Sequence, residues 1–70
     1  NLQLAYEAAL VYTVIGDRAS ALANAQRALT GGFDPRWFTS PFFDAQREVP
    51  AWQDLLAAAE TRVRSGSAAR

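Results

Sequence analysis

Two glycine-marked breaks, Gly16-Asp17 and Gly31-Gly32, cut the first half of the chain into segments of helical length and helical period. From Leu2 to Ile15, Ala5, Ala8, Ala9, Tyr12 and Ile15 recur at steps of three and four, which sets them on one face of a helix. Leu4, Val11 and Val14 add apolar surface beside that face, so this helix is expected to be covered on more than one side. Gly16 suits a left-handed helix end, and Asp17 suits the cap of the next helix. The second helix reads from Arg18 to Thr30, with Ala21, Leu22, Ala25, Ala28 and Leu29 inward and Ser20, Asn24, Gln26 and Arg27 outward. Alanines at the facing positions let two backbones approach closely. Gly31-Gly32 then stops the helix, and Phe33 is placed to fold back on its last turn.

The next stretch has a different rhythm. Asp34-Pro35-Arg36-Trp37, Ser40-Pro41-Phe42-Phe43 and Val49-Pro50-Ala51-Trp52 each put an aromatic one or two residues after a proline. Asp-Pro and Ser-Pro open helices, because the cap side chain accepts a backbone N–H while proline takes the first helical position. The first two openings predict single helical turns. Trp37, Phe38, Phe42, Phe43 and Trp52 are expected to be core, wrapping over the helices, with Trp37 the one partly exposed. The third opening leads into a helix from Pro50 to about Arg64, whose stripe is Trp52, Leu55, Leu56, Ala59 and Val63. Asp54 near its start and Arg62 and Arg64 near its end suit the helix dipole. The expected organisation is therefore all-α: a helical hairpin over residues 1–33, an aromatic and proline-rich connector over 34–49, a closing amphipathic helix over 50–64, and a flexible tail over 65–70. The sequence starts at Asn1, not Met, and its first residues already read as helix, which fits an expectation of a piece of a longer chain.

Composition narrows the chemistry. The 70 residues contain neither cysteine nor histidine, so disulfides, thiolate metal sites and the usual general base are all missing. No cofactor, metal or catalytic residue is expected. Asp44, Arg47 and Glu48 read as ion pairs or caps, and no histidine stands ready to activate a serine. Seven acidic and seven basic residues balance, and the basic ones, all arginine, are scattered from Arg18 to Arg70. Phosphate binding draws on clustered positive charge, so nucleic acid is not the expected partner. No apolar run approaches the roughly 20 residues of a membrane span. Compartment is unmarked, with cytoplasm as the expectation.

The first two helices resemble one tetratricopeptide repeat, a helix–turn–helix unit of about 34 residues. The matching residues are Ala8-Ala9 and Tyr12, Gly16-Asp17 at the turn, then Ala21 and Ala28-Leu29. Ala5 and Arg18 stand where the family often has aromatic residues, and Asp34-Pro35 arrives two residues later than the usual Asp-Pro ending. The remainder, with Trp37, Ser40-Pro41-Phe42-Phe43-Asp44, Arg47 and Pro50-x-Trp52-x-x-Leu55-Leu56, resembles the stretch that closes tetratricopeptide-like arrays in many bacterial regulators.

The resemblance implies the last repeat and capping helix of a helical array, an α-solenoid scaffold that binds a protein or peptide or serves intramolecular regulation. Its expected neighbours are upstream repeats of the same chain. Carried over by position, the groove-facing residues are Gln3, Tyr6, Leu10 and Thr13, with Glu7 and Val14 alongside, and Trp37 is a further candidate contact. The competing reading packs Tyr6, Leu10 and Val14 against a preceding repeat. A carboxylate clamp of the family's kind is excluded, since the chain has no lysine and Tyr6 and Leu10 occupy the clamp positions. The alternative function is self-association, with apolar residues of the first helix pairing two copies.

Overall fold

The structure, a computed structural model, describes residues 1–68, and it is all-α. In chain order come α1 (Leu2–Ile15), α2 (Arg18–Thr30), two short 3₁₀ helices (Pro35–Thr39 and Pro41–Gln46) and α3 (Pro50–Ala68).

Local chemistry sets the ends of the first two helices. Asn1 caps α1, its side-chain oxygen accepting from the Gln3 N–H at 2.9 Å. Gly16 ends α1 with φ of 87°, a conformation that costs a residue with a Cβ more than it costs glycine. Asp17 caps α2 by accepting from the Ser20 N–H at 3.1 Å and the Ser20 hydroxyl at 2.8 Å. At the other end of α2, the Phe33 N–H bonds back to the Ala28 carbonyl at 3.0 Å and the Gly32 N–H to Leu29 at 3.1 Å. Gly32 between them has φ of 104°, completing a Schellman end as the Gly-Gly-Phe run predicts.

Alanine joins α1 to α2. Ala5 and Ala9 of α1 and Ala21, Ala25 and Ala28 of α2 are buried. The start of α1 lies against the end of α2: a Cβ added to Gly31 would stand 2.3 Å from Leu2 Cδ2. The pair therefore runs antiparallel, as its two-residue connection requires.

The connector supplies the large side chains that the alanine pair lacks. Tyr6 of α1 stacks on Phe33 with ring centres 5.2 Å apart, and Phe38 meets Tyr6 edge-on at 5.3 Å. Phe38 passes the contact to Phe43 at 5.2 Å, and Phe43 stacks on Trp52 of α3 at 5.4 Å. Phe38, Phe43 and Trp52 are buried, forming one core with the alanines and Leu29. Rings at these separations contribute about 0.5–1.5 kcal/mol per pair beyond the area they bury. On the far side Arg62 of α3 donates to the Leu29 carbonyl at 3.4 Å, a second bond to the oxygen that already accepts from the Gly32 N–H, and so ties α3 to the end of α2.

Several expectations are corrected. The buried line of α1 is Ala5, Ala9 and Thr13, rotated from the expected one; Ile15 is exposed, and Ala8 and Tyr12 are only half-buried. Phe42 is 66% exposed and outside the core, because Phe43 takes the inward position of its 3₁₀ helix. Asp34 caps the first 3₁₀ helix as expected, accepting from the Arg36 N–H at 2.9 Å, but Ser40 makes no such bond at the second. Val63 is exposed, so the inward stripe of α3 ends at Ala59. The helix continues to Ala68, past the expected end at Arg64, so residues 65–68 of the expected tail are helical. Residues 69–70 of that tail lie outside the described residues.

Candidate interaction surfaces

The five residues expected to touch a partner have different surroundings. Gln3 is exposed at the start of α1, and its amide donates to Glu7 Oε2 at 3.1 Å. Tyr6 is half-buried, with Phe33, Trp37, Phe38 and Phe43 all around its ring. Leu10 is half-buried against the same core. Thr13 is 6% exposed, so its placing among groove-lining residues is corrected. Its hydroxyl donates to the Ala9 carbonyl at 2.8 Å and accepts from the Gln46 amide at 3.5 Å. Trp37 is 58% exposed, one edge against Tyr6 and Phe33.

The side of α1 that carries Tyr6 and Thr13 is covered by later segments of the same chain, with Phe33, Phe38 and Phe43 against Tyr6 and Gln46 against Thr13. Tyr6 and Leu10 pack against the core of the same chain, and each keeps part of its surface open. Val14 lies on another side and is exposed.

The outer side of α1 is open. Leu4, Val11, Val14 and Ile15, at i, i+7, i+10 and i+11, are 56–71% exposed and form an aliphatic strip along the helix. Glu7 is the only charged residue in α1. So apolar a helix is expected to be covered on this side too, and no element of the chain supplies a cover among the described residues.

A second surface is a cleft of about 380 Å³ between the 3₁₀ segment and the first three turns of α3. Phe38, Phe43, Trp52 and Leu56 form its floor, and Arg47 and Glu60 stand on its rim. Arg47 forms an ion pair with Asp44, and its carbonyl accepts from the Gln53 amide at 2.9 Å, which ties the connector to the start of α3. The Ser40 hydroxyl in the cleft wall is buried and has no hydrogen-bond partner among the described residues. The Ser-Pro pair marks Ser40 only as a helix opener, and no pattern in the sequence marks the cleft.

Charge elsewhere is local. The Arg36 guanidinium bonded to Asp34 holds that carboxyl below its ordinary value, and the same bond raises Arg36. The Ser20 backbone N–H, followed by its hydroxyl, lowers Asp17. Among the described residues no cluster of three or more acidic, histidine or cysteine side chains is placed to hold a metal. None of the described helices is long and apolar enough to cross a membrane. No protein-family model, curated protein sequence or solved structure matches the chain.

Proposed function

We propose that the chain is a non-catalytic protein–protein interaction module, the terminal part of a tetratricopeptide-like array that binds a protein or peptide or holds an intramolecular regulatory contact. The observation that carries the reading is the outer side of α1, where Leu4, Val11, Val14 and Ile15 stand in water along one helix. Aliphatic side chains aligned in this way mark a surface that another helical layer covers. The array placement is supported by the antiparallel α1–α2 pair and its resemblance to a single repeat. It is also supported by α3, whose exposed Asp54, Ala57, Ala58 and Thr61 give the other side of the unit a small and polar finish, as a terminal unit requires.

Self-association is the second reading, favoured by the same strip. It lacks any basic residue and carries a single carboxylate, so two copies would meet through mostly neutral surface.

The test is a photo-cross-linking amino acid placed at Val11, with the same group at Asp54 of α3 as control, in the cell that makes the protein. The reading expects strong adducts from Val11 and few from Asp54. An adduct of doubled mass identifies self-association; an adduct within the chain or with another protein identifies the array or a partner. Equal labelling from both positions refutes the reading.

A further inference from the structure

The open sides of α1 and α2 differ in shape and in charge. On α1, Leu4, Val11 and Ile15 project from about 16 Å of helix, at about 1.5 Å per residue. On α2, beyond Arg18 at its start, the exposed residues are Ala19, Ala23, Gln26, Arg27 and Thr30. Ala19 to Thr30 covers the same length of helix as Leu4 to Ile15, with mostly short side chains. Each open side is turned away from the alanine seam that joins the two helices, so the two surfaces lie on opposite sides of the hairpin.

Their charges are complementary. Glu7 is the only charged residue of α1, whereas α2 carries Arg18 and Arg27 and no carboxylate. Glu7 and Arg27 are both exposed, and neither belongs to the ion pairs of the described residues, Arg36–Asp34 and Arg47–Asp44. The Gln3 amide bonds Glu7 Oε2, and the other carboxylate oxygen accepts no bond within the described residues.

These features decide what can cover α1. A second α1 would leave Glu7 without a cation, since α1 has none. The exposed side of α3 carries Asp54 and Glu60. Only the open side of α2 combines short side chains with an exposed arginine and no acid. Laid antiparallel, as α1 already lies on its own α2, Val11 comes level with Ala23, Ile15 with Ala19 and Leu4 with Thr30. The same register brings Glu7 level with Arg27 at the two edges of the seam, where the long guanidinium side chain reaches across. Short side chains on one helix let aliphatic ones on the other settle between them.

We propose that the chain associates head to tail, the open side of α1 in one copy resting on the open side of α2 in the next. The two surfaces differ, so the contact is heterologous: each copy keeps one surface of each kind, and the assembly grows as a row instead of closing as a two-fold dimer. The proposal rests on the reading of α1 as an interaction surface and names its occupant. A contact one helix wide, about 21 Å by about 10 Å, is well below the roughly 800 Å² per partner of a stable complex, so rows form only at high concentration.

The experiment is translational diffusion of the whole chain by NMR from micromolar to millimolar concentration, with circular dichroism confirming that each variant is folded. The apparent mass of the parent should rise steadily and pass that of a dimer. Glu7→Arg and Arg27→Glu should each weaken association by about 2- to 30-fold, through loss of an exposed ion pair and gain of a like-charge contact. An equimolar mixture of the two should regain the parent's association, because each variant then meets the opposite charge on its neighbour. Val11→Asp and Ala23→Asp each block one surface, and their mixture should stop at a dimer. A parent that stays monomeric at millimolar concentration overturns the proposal, and so does a mixture of charge variants no tighter than either alone. Association that Val11→Asp abolishes and Arg27→Glu leaves intact also overturns it, by placing two α1 strips together. Adducts from Val11 with another protein would still support the interaction-module reading in these cases, whereas equal labelling from Val11 and Asp54 refutes that reading separately.

Discussion

Thr13 and Gln46 offer the sharpest test of how the connector is fastened to α1. Both are buried, Gln46 at 1% exposure, and the Gln46 amide donates to the Thr13 hydroxyl at 3.5 Å while that hydroxyl donates to the Ala9 carbonyl at 2.8 Å. The two single substitutions should therefore differ. Thr13→Val keeps the shape of the side chain but leaves the buried Gln46 amide without its partner, a loss of about 1–3 kcal/mol. The contact distance of 3.5 Å is at the outer edge of a hydrogen bond, which sets the expectation near the lower end, about 1 kcal/mol. For a domain of this size that corresponds to a fall in Tm of about 4–8 °C. Gln46→Leu leaves Thr13 still bonded to Ala9 and replaces a buried amide with an apolar group, so it should cost less than about 0.5 kcal/mol or stabilise. The double variant should resemble Gln46→Leu, because no amide is then left stranded. Thermal melts followed by circular dichroism at 222 nm measure all three. A Thr13→Val protein as stable as the parent would mean that Thr13 is surface. A Gln46→Leu protein less stable than Thr13→Val would refute the reasoning about the stranded amide.

Neighbouring phenylalanines should behave oppositely: Phe38→Ala removes a ring buried among Tyr6, Phe33, Phe43 and Trp52, and the expected loss of about 3–5 kcal/mol equals the whole stability of many domains this small. Phe42→Ala, at an exposed position, should change stability by less than about 0.5 kcal/mol, and urea melts compare the two. Asp17 predicts an acid dependence. Its carboxyl is held below the ordinary value of 3.8 by the Ser20 backbone and hydroxyl bonds, so the folded form binds its proton less readily than the unfolded chain does. The stabilisation is therefore present above the ordinary value and lost as pH falls through the lower folded value. The gap in Tm between the parent and Asp17→Ala should be constant near neutral pH and narrow below about pH 4, with Asp17→Asn as an uncharged cap that shows no such narrowing.

Helix ends were legible because they depend on bonds between residues close in sequence. Gly16 after an apolar-periodic run, Asp17 three residues before Ser20, and Gly31-Gly32-Phe33 after Leu29 each specify a local arrangement, and each forms it. Asp34-Pro35 behaves the same way, its carboxylate bonding the Arg36 N–H two residues on. The alanines that join α1 to α2 were legible for a related reason: on α2 the polar residues leave only one side apolar.

On α1 that selection fails. With Glu7 its only charge, the helix is apolar nearly all round, and its period alone does not choose an inward side. Packing chooses it: α2 sets its alanines against Ala5 and Ala9, while Phe33, Phe38 and Phe43 lie against Tyr6 and Gln46 meets Thr13. That docking turns Ala5, Ala9 and Thr13 inward and leaves Leu4, Val11, Val14 and Ile15 in water. Phe42 and Phe43 are adjacent and chemically identical, and only the path of the 3₁₀ helix between α1 and α3 decides which enters the core. The cleft is a property of that path as well, since Ser40, Arg47 and Glu60 meet around it only after the connector has folded across α1 and α3 has closed over it. Sequence by itself determined the elements, whose bonds are local; the tertiary structure decided which faces are buried and which remain open, because that depends on contacts between segments distant in the chain.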